Sequence, residues 1–133
     1  MAAAVVEAAV AAASSASAEA CPRLDGLPVR DLAEDLRVAE ANTRAARMKG
    51  LAKLDVLPER LALHIPRCRS VHTFTMRFPL DLIWLARDGR VIRVDENVPP
   101  RRVRTCVRAR SVVECNAGAA RAFLDAGLAT AAG

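Results

Sequence analysis

The stretch Leu80-Asp81-Leu82-Ile83-Trp84-Leu85-Ala86-Arg87-Asp88-Gly89-Arg90-Val91-Ile92-Arg93-Val94 decides how this chain folds. From Leu80 to Ala86 it is apolar save for Asp81, and Val91 to Val94 is again rich in β-branched residues, so a strand is expected on each side of Arg87–Arg90. Asp-Gly between two such runs is the strongest short-range hairpin signal, and it predicts a type I′ turn with positive φ at both Asp88 and Gly89. Upstream, Val71, Thr73 and Thr75 alternate with His72, Phe74 and Met76, which predicts another strand before Phe78-Pro79. Leu61, Leu63 and Ile65 alternate with Ala62, His64 and Pro66, the pattern of a half-buried strand stopped by proline. Downstream, Val98-Pro99-Pro100 closes the hairpin, and Val112 to Cys115 predicts a last strand.

Helical signals are weaker and lie at the periphery. Val29, Leu32, Ala33 and Leu36 fall at i, i+3, i+4 and i+7, which predicts a short helix or a helix-to-strand junction between Pro28 and Glu40. Asn42 or Thr43 can cap a short helix that Gly50 ends. Asn116 is expected to cap a helix over Ala117–Ala126, with Gly127 as the left-handed residue behind it. The expected architecture is α+β and mainly β: a small sandwich-like or partly closed barrel-like domain with two or three short peripheral helices.

With 133 residues the chain has room for one domain. Leu, Ile, Val and Phe make up about a quarter of it, above the composition at which disorder becomes the default. Residues 1–22 hold 11 Ala, several Ser and no Lys or Arg, and are expected to form a flexible tail ahead of a single domain over residues 23–133. Ala18-Glu19-Ala20 before Cys21 resembles a signal cleavage site. A basic n-region is missing, however, and Glu7 interrupts the weak apolar run, so a cytoplasmic location is expected over export. No run of 18 apolar residues exists to cross a membrane as a helix. The net charge of +5 is carried almost wholly by Arg, 18 of the 20 basic residues, and beside 28 Ala this points to codon bias more than to a ligand. The four cysteines at 21, 68, 106 and 115 contain no CxxC pair and are expected to be reduced, small buried hydrophobes.

Three groups of residues are candidates for chemistry. Cys68 and His72 sit four apart, and on one strand they would share a face, near enough to bind a metal or form a thiol–imidazole pair; Cys106 could add a third ligand. Asp81 is a charge inside an apolar strand, so it must face solvent, accept backbone N–H bonds or pair with Arg77 or Arg93, and a structural role is the favoured reading over ligand contact. Arg102, Arg104, Arg108 and Arg110 alternate with Val103, Thr105, Val107 and Ala109, and an extended backbone would line four guanidinium groups along one face. No aromatic residue interleaves that strip, so a solvated edge strand is favoured over nucleic-acid binding.

RMKGL at 47–51, LPERLALHIP at 57–66, SVHTFTMRFPLDLIWL at 70–85, DGRVIRVDENVPP at 88–100 and ARSVVECNAGAARAFLDAGL at 109–128 follow one another in a recognisable order. In these blocks the chain from Arg47 to Leu128 resembles the family called domain of unknown function 192. Many relatives carry an aromatic-Met-x-Asn-Thr stretch where this chain has Val71 to Met76, and a Met where it has Ala52. The resemblance implies a compact, mainly β, sandwich-like fold with peripheral helices and implies no reaction. No catalytic constellation is complete and no cofactor is expected, so the expected role is a small binding or accessory module of unknown partner. The rivals are a metal- or thiol-dependent enzyme centred on Cys68 and His72, and a weak polyanion binder acting through Arg102–Arg110.

Overall fold

The structure, a computed structural model, describes residues 21–129. The proposed tail lies outside the described residues except for its end, where Cys21 is buried and Pro22–Leu24 forms a 3-10 turn. Eight strands follow: β1 (Val29–Asp31), β2 (Arg37–Glu40), β3 (Leu61–Pro66), β4 (Ser70–His72), β5 (Leu80–Leu85), β6 (Val91–Val98), β7 (Val103–Thr105) and β8 (Ser111–Asn116). Two short helices accompany them, α1 (Arg44–Lys49) and α2 (Ala120–Asp125). The domain is mainly β, as expected. Six strands form one sheet in the order β1-β2-β3-β8-β5-β6, and β4 pairs with β7 in a separate ribbon. The larger sheet ends on β1 and β6 and does not close into a barrel. Among the described residues no helix is long and apolar enough to cross a membrane.

The sheet is covered on both faces, which explains why its central strands read as near-continuous apolar runs. Leu61, Leu63 and Ile65 of β3, Leu80, Leu82 and Trp84 of β5, and Val112 of β8 belong to one cluster, which Val71 of β4 and Cys106 also join. The alternate residues Ala62, Ile83, Leu85, Val113 and Cys115 belong to a second cluster with Phe123 of α2. Trp84 is fully buried, and its indole N–H donates to Asp95 at 2.9 Å, so burial leaves no polar atom of the ring unpaired.

The β5–β6 hairpin forms where the Asp-Gly signal places it, by a different turn. Gly89 N–H donates to the Ala86 carbonyl and Ala86 N–H to the Arg90 carbonyl, and only Gly89, at φ 86°, has positive φ. This is a three-residue loop ending in a left-handed glycine, and it needs no strained conformation at Asp88, whose carboxylate accepts from Arg90 N–H at 3.0 Å. The helix expected between Pro28 and Glu40 is absent: β1 and β2 pair around a 3-10 turn at Ala33–Asp35, and β2 runs parallel to β3. Sheet pairing with β3 overrides the local helical spacing. The strand expected over Val71–Met76 ends at His72, because Thr73 turns the chain: its hydroxyl donates to the Pro99 carbonyl at 2.7 Å and accepts from Arg102 N–H at 2.9 Å.

Helix α1 forms as expected, with the Thr43 hydroxyl accepting from Ala46 N–H at 3.0 Å and Gly50 at φ 48° ending it. Helix α2 is shorter than expected, since Asn116 does not cap it; the Asn116 amide donates to the Leu57 carbonyl at 2.6 Å instead. Its C-terminus closes with Leu128 N–H on the Phe123 carbonyl and Gly127 N–H on the Leu124 carbonyl, Gly127 being at φ 96°.

Gly89→Val places a β-branched residue in the left-handed region. We expect it to cost about 1–2 kcal/mol, read as a lower urea midpoint with an unchanged slope. An unchanged midpoint contradicts the turn described above.

Candidate functional site

Glu114 is a buried carboxylate in the middle of an apolar strand. It lies on β8, opposite Leu63 of β3 and opposite Leu82 of β5, so both neighbours on its face are leucines. Only 5% of the residue is exposed, and its Oε2 is fully buried with no hydrogen-bond partner among the described residues. Burial pushes the carboxyl up to about 7, because no cation or N–H group compensates for the lost water. Asp81, the other acid in an apolar strand, has the opposite surroundings. It is 1% exposed and satisfied, with Oδ1 accepting from Asn97 N–H at 2.8 Å and Oδ2 from Gly118 N–H at 2.9 Å and Ala120 N–H at 3.0 Å. Asp81 thus ties β6 to the β8–α2 turn, and its three backbone donors occupy it structurally.

Glu114 lines a pocket of about 210 Å³ between the sheet and α1. Arg47, Met48, Lys49 and Gly50 at the end of α1 form one wall; Cys68, Ser70 and His72 form another, with Ile65, Val71 and Met76 between them. Gly50 matters for this closeness: a Cβ there would sit 3.8 Å from Glu114 Oε2. Arg23 fixes the wall, its guanidinium donating to the Ala52 carbonyl at 2.6 Å and to the Gly50 carbonyl at 3.4 Å.

Cys68 and His72 therefore do meet at one pocket, though not as neighbours on a strand face. Cys68 precedes β4, its thiol donating to the Ser70 carbonyl at 3.3 Å, and the exposed His72 ring lies 5.8 Å from Phe74. Burial raises the Cys68 thiol; the Ser70 bond opposes that shift and the Glu114 charge adds to it. A thiol held up in this way is protonated at neutral pH, the reverse of an activated nucleophile. Cys106 is buried in the core and does not line the pocket, so it supplies no third ligand there. Among the described residues no three His, Cys, Asp or Glu side chains are grouped to hold a metal. All four cysteines are free, and three are buried as expected.

The arginine strip is dispersed. Only Val103–Thr105 is extended, and a turn closed by Ala109 N–H on the Cys106 carbonyl breaks the alternation beyond it. The guanidiniums of Arg102 and Arg104 bond the carbonyls of Arg101 and Val103, whereas Arg108 and Arg110 lie past the turn. Four guanidiniums on one strand face are therefore not formed, and Val103 and Val107 are exposed where the pattern called for inward-facing residues.

Glu114 was readable by the signal that exposed Asp81, a lone charge in an apolar strand, yet Val112 to Cys115 reads first as simply another strand. An open cleft of about 690 Å³ beside α2 is lined by five alanines together with Glu34, Glu59, Arg60, Asp125 and Asn116, whose amide is already bonded to the Leu57 carbonyl.

A pair of pH profiles tests the Glu114 environment. The native carboxyl holds its proton to about 7 while the unfolded one releases it near 4.5, so the stability that Glu114 contributes is fully present below pH 4.5 and is lost as pH rises through 7. The loss attributable to Glu114 is about 3 kcal/mol, and Glu114→Gln should abolish that slope in urea titrations between pH 5 and 8. Parallel profiles for the two proteins contradict the burial argument.

Two solved structures share the fold. A protein of unknown function from Novosphingobium aromaticivorans DSM 12444 superposes with a TM-score of 0.57 at 18% identity, covering 77% of this chain and 91% of its own. A protein from Sinorhizobium meliloti 1021, provisionally described as a transcription regulator, superposes with a TM-score of 0.59 at 23% identity, covering 71% and 82%. No curated protein matches the chain significantly. At these identities the likeness speaks for the fold alone. The family match carries further, spanning residues 28–127 and hence all eight strands and both helices, and by it this chain belongs to the domain of unknown function 192 family, described as Uncharacterized ACR.

Proposed function

We propose that this protein is a small cytoplasmic binding module, and that its ligand is a compact zwitterion of amino-acid size held in the Glu114 pocket. The observation that carries this reading is the unpartnered, fully buried Oε2 of Glu114 on the floor of a pocket. Leaving a buried acceptor unpaired costs about 1–3 kcal/mol, and a ligand N–H or ammonium placed against it recovers that loss. Arg47 and Lys49 line the wall without any ion pair among the described residues, so the pocket is acidic at its floor and basic at its edge. A molecule with an ammonium at one end and a carboxylate at the other matches that polarity. Ile65, Val71, Leu51 and Met76 leave an apolar middle for its side chain. A volume of about 210 Å³ holds roughly seven waters and is below the range of drug-sized ligands, which sets the size class. Free cysteines throughout suit a reducing compartment. The thiol-enzyme reading has no support in the raised Cys68 thiol, and the nucleic-acid reading has none in the dispersed arginines.

Titration with L-leucine, followed by amide shifts of Gly50, Leu51 and Ser70, tests this reading. Saturable shifts are expected, stronger at pH 8 than at pH 6 because an ammonium prefers ionised Glu114 over its protonated form. Within reach of that carboxyl, Cys68, His72, Arg47 and Lys49 are the other titratable groups lining the pocket. Glu114→Gln should weaken binding about tenfold or more. Methylamine and acetate, each half of the ligand, should bind more weakly than L-leucine. Failure of L-leucine to shift those amides, or equal binding to Glu114→Gln, overturns the reading.

A further inference from the structure

The sheet face opposite Glu114 carries a second concavity that the reading above does not use. It has a volume of about 380 Å³, and four arginines, Arg30, Arg67, Arg87 and Arg110, come to it from β1, the β3–β4 link, the β5–β6 turn and the start of β8. Among the described residues the guanidiniums of Arg67, Arg87 and Arg110 have no ion-pair or hydrogen-bond partner, and Arg30 makes one long bond, 3.5 Å, to the Leu128 carbonyl. Glu40 is the single acid lining the cleft, and it is engaged: its Oε2 lies 2.5 Å from Nδ1 of His64, its cross-strand neighbour. The other ring nitrogen of His64, Nε2, is fully buried and unpartnered.

Backbone bonds make this a built site as well as a charged patch. Arg110 N–H donates to the Leu85 carbonyl at 2.7 Å and Cys68 N–H to the Arg110 carbonyl at 3.1 Å, which locks the β3–β4 link, the end of β5 and the start of β8 together. Arg67 itself is held at φ 51°, an uncommon conformation for a residue with a side chain, and this turns the link over the cleft. Four like charges converging on one concavity repel one another unless an anion lies between them. A guanidinium matches phosphate by planar, paired N–H donation, and its charge does not titrate away.

We propose that the cleft formed by Arg30, Arg67, Arg87, Arg110 and the His64–Glu40 pair binds the phosphate group of a small phosphorylated molecule. The concave shape and the absence of any aromatic residue along it favour a small ligand over a nucleic-acid strand, which needs a continuous track and stacking platforms. This site stands independently of the Glu114 pocket, since the two lie on opposite faces of the sheet.

The probe is pyrophosphate, titrated into the full chain at constant ionic strength by calorimetry, with amide shifts of Gly89 and Ser111 locating the site. Saturable one-to-one binding is expected. Arg67→Gln/Arg110→Gln should weaken it about tenfold or more, each lost charge-assisted contact counting for several-fold. The control Arg102→Gln/Arg121→Gln removes the same charge at positions that do not line the cleft and should bind like the parent; all four side chains are exposed, so both variants should melt like the parent. Equal loss in both double variants, or the absence of saturation, means diffuse attraction to a basic surface and overturns the proposal. So does single-stranded DNA that shifts the same amides and resists displacement by pyrophosphate, because the occupant would then be a polynucleotide.

Discussion

Strand β8 is enclosed on four sides: β3 and β5 bond along its two edges, and a hydrophobic cluster covers each of its faces. Any polar side chain on it must be satisfied by protein or bear the loss of water. Ser111 and Asn116 sit at its ends; Glu114 does not, and two leucines flank it across the strands. Helix α1 ends at Gly50 beside the pocket above Glu114, and a Cβ there would lie within van der Waals contact of the carboxyl. The placement of α1, the pinning of its C-terminus by Arg23 and the turn at Thr73 all serve to frame one buried acid.

Two carboxylates on neighbouring central strands illustrate how surroundings assign roles. Asp81 and Glu114 are both almost wholly buried, yet one meets three backbone N–H groups and the other none. A satisfied acid behaves as a bracket between loops. An unsatisfied one holds its proton above the ordinary carboxylate range and keeps an acceptor oxygen open to a partner, which is why the functional reading rests on Glu114.

Much of the fold was legible in the order of residues. Alternation marked β3, the apolar runs marked β5 and β8, and Asp88-Gly89 marked the hairpin, since those signals are local and the backbone obeys them. What misled were elements whose conformation is set by distant partners: Pro28–Glu40 carries helical spacing but pairs with β3, and Val71–Met76 alternates but is turned by bonds from Thr73 to Pro99 and Arg102. The site was legible only in part. Cys68 and His72 lie at the pocket, but the residue that makes it a pocket with an unmet demand comes from β8, nearly fifty positions away from Cys68, and no spacing rule links them. Likewise Arg110 belongs with Arg30, Arg67 and Arg87 and not with the strip it follows, because the turn at Cys106–Ala109 redirects it.

Glu114 must hold its proton well above the ordinary carboxylate range in the native state for the pocket to contain an unmet acceptor. Carbon-detected NMR of the Glu114 side-chain carboxyl, followed from pH 3 to 9 in the folded protein, reads that directly. A titration midpoint of about 7 is the predicted result, and a midpoint at the ordinary 4.5 would contradict it, since the carboxyl would then be hydrated or paired and the pocket would hold no unmet acceptor.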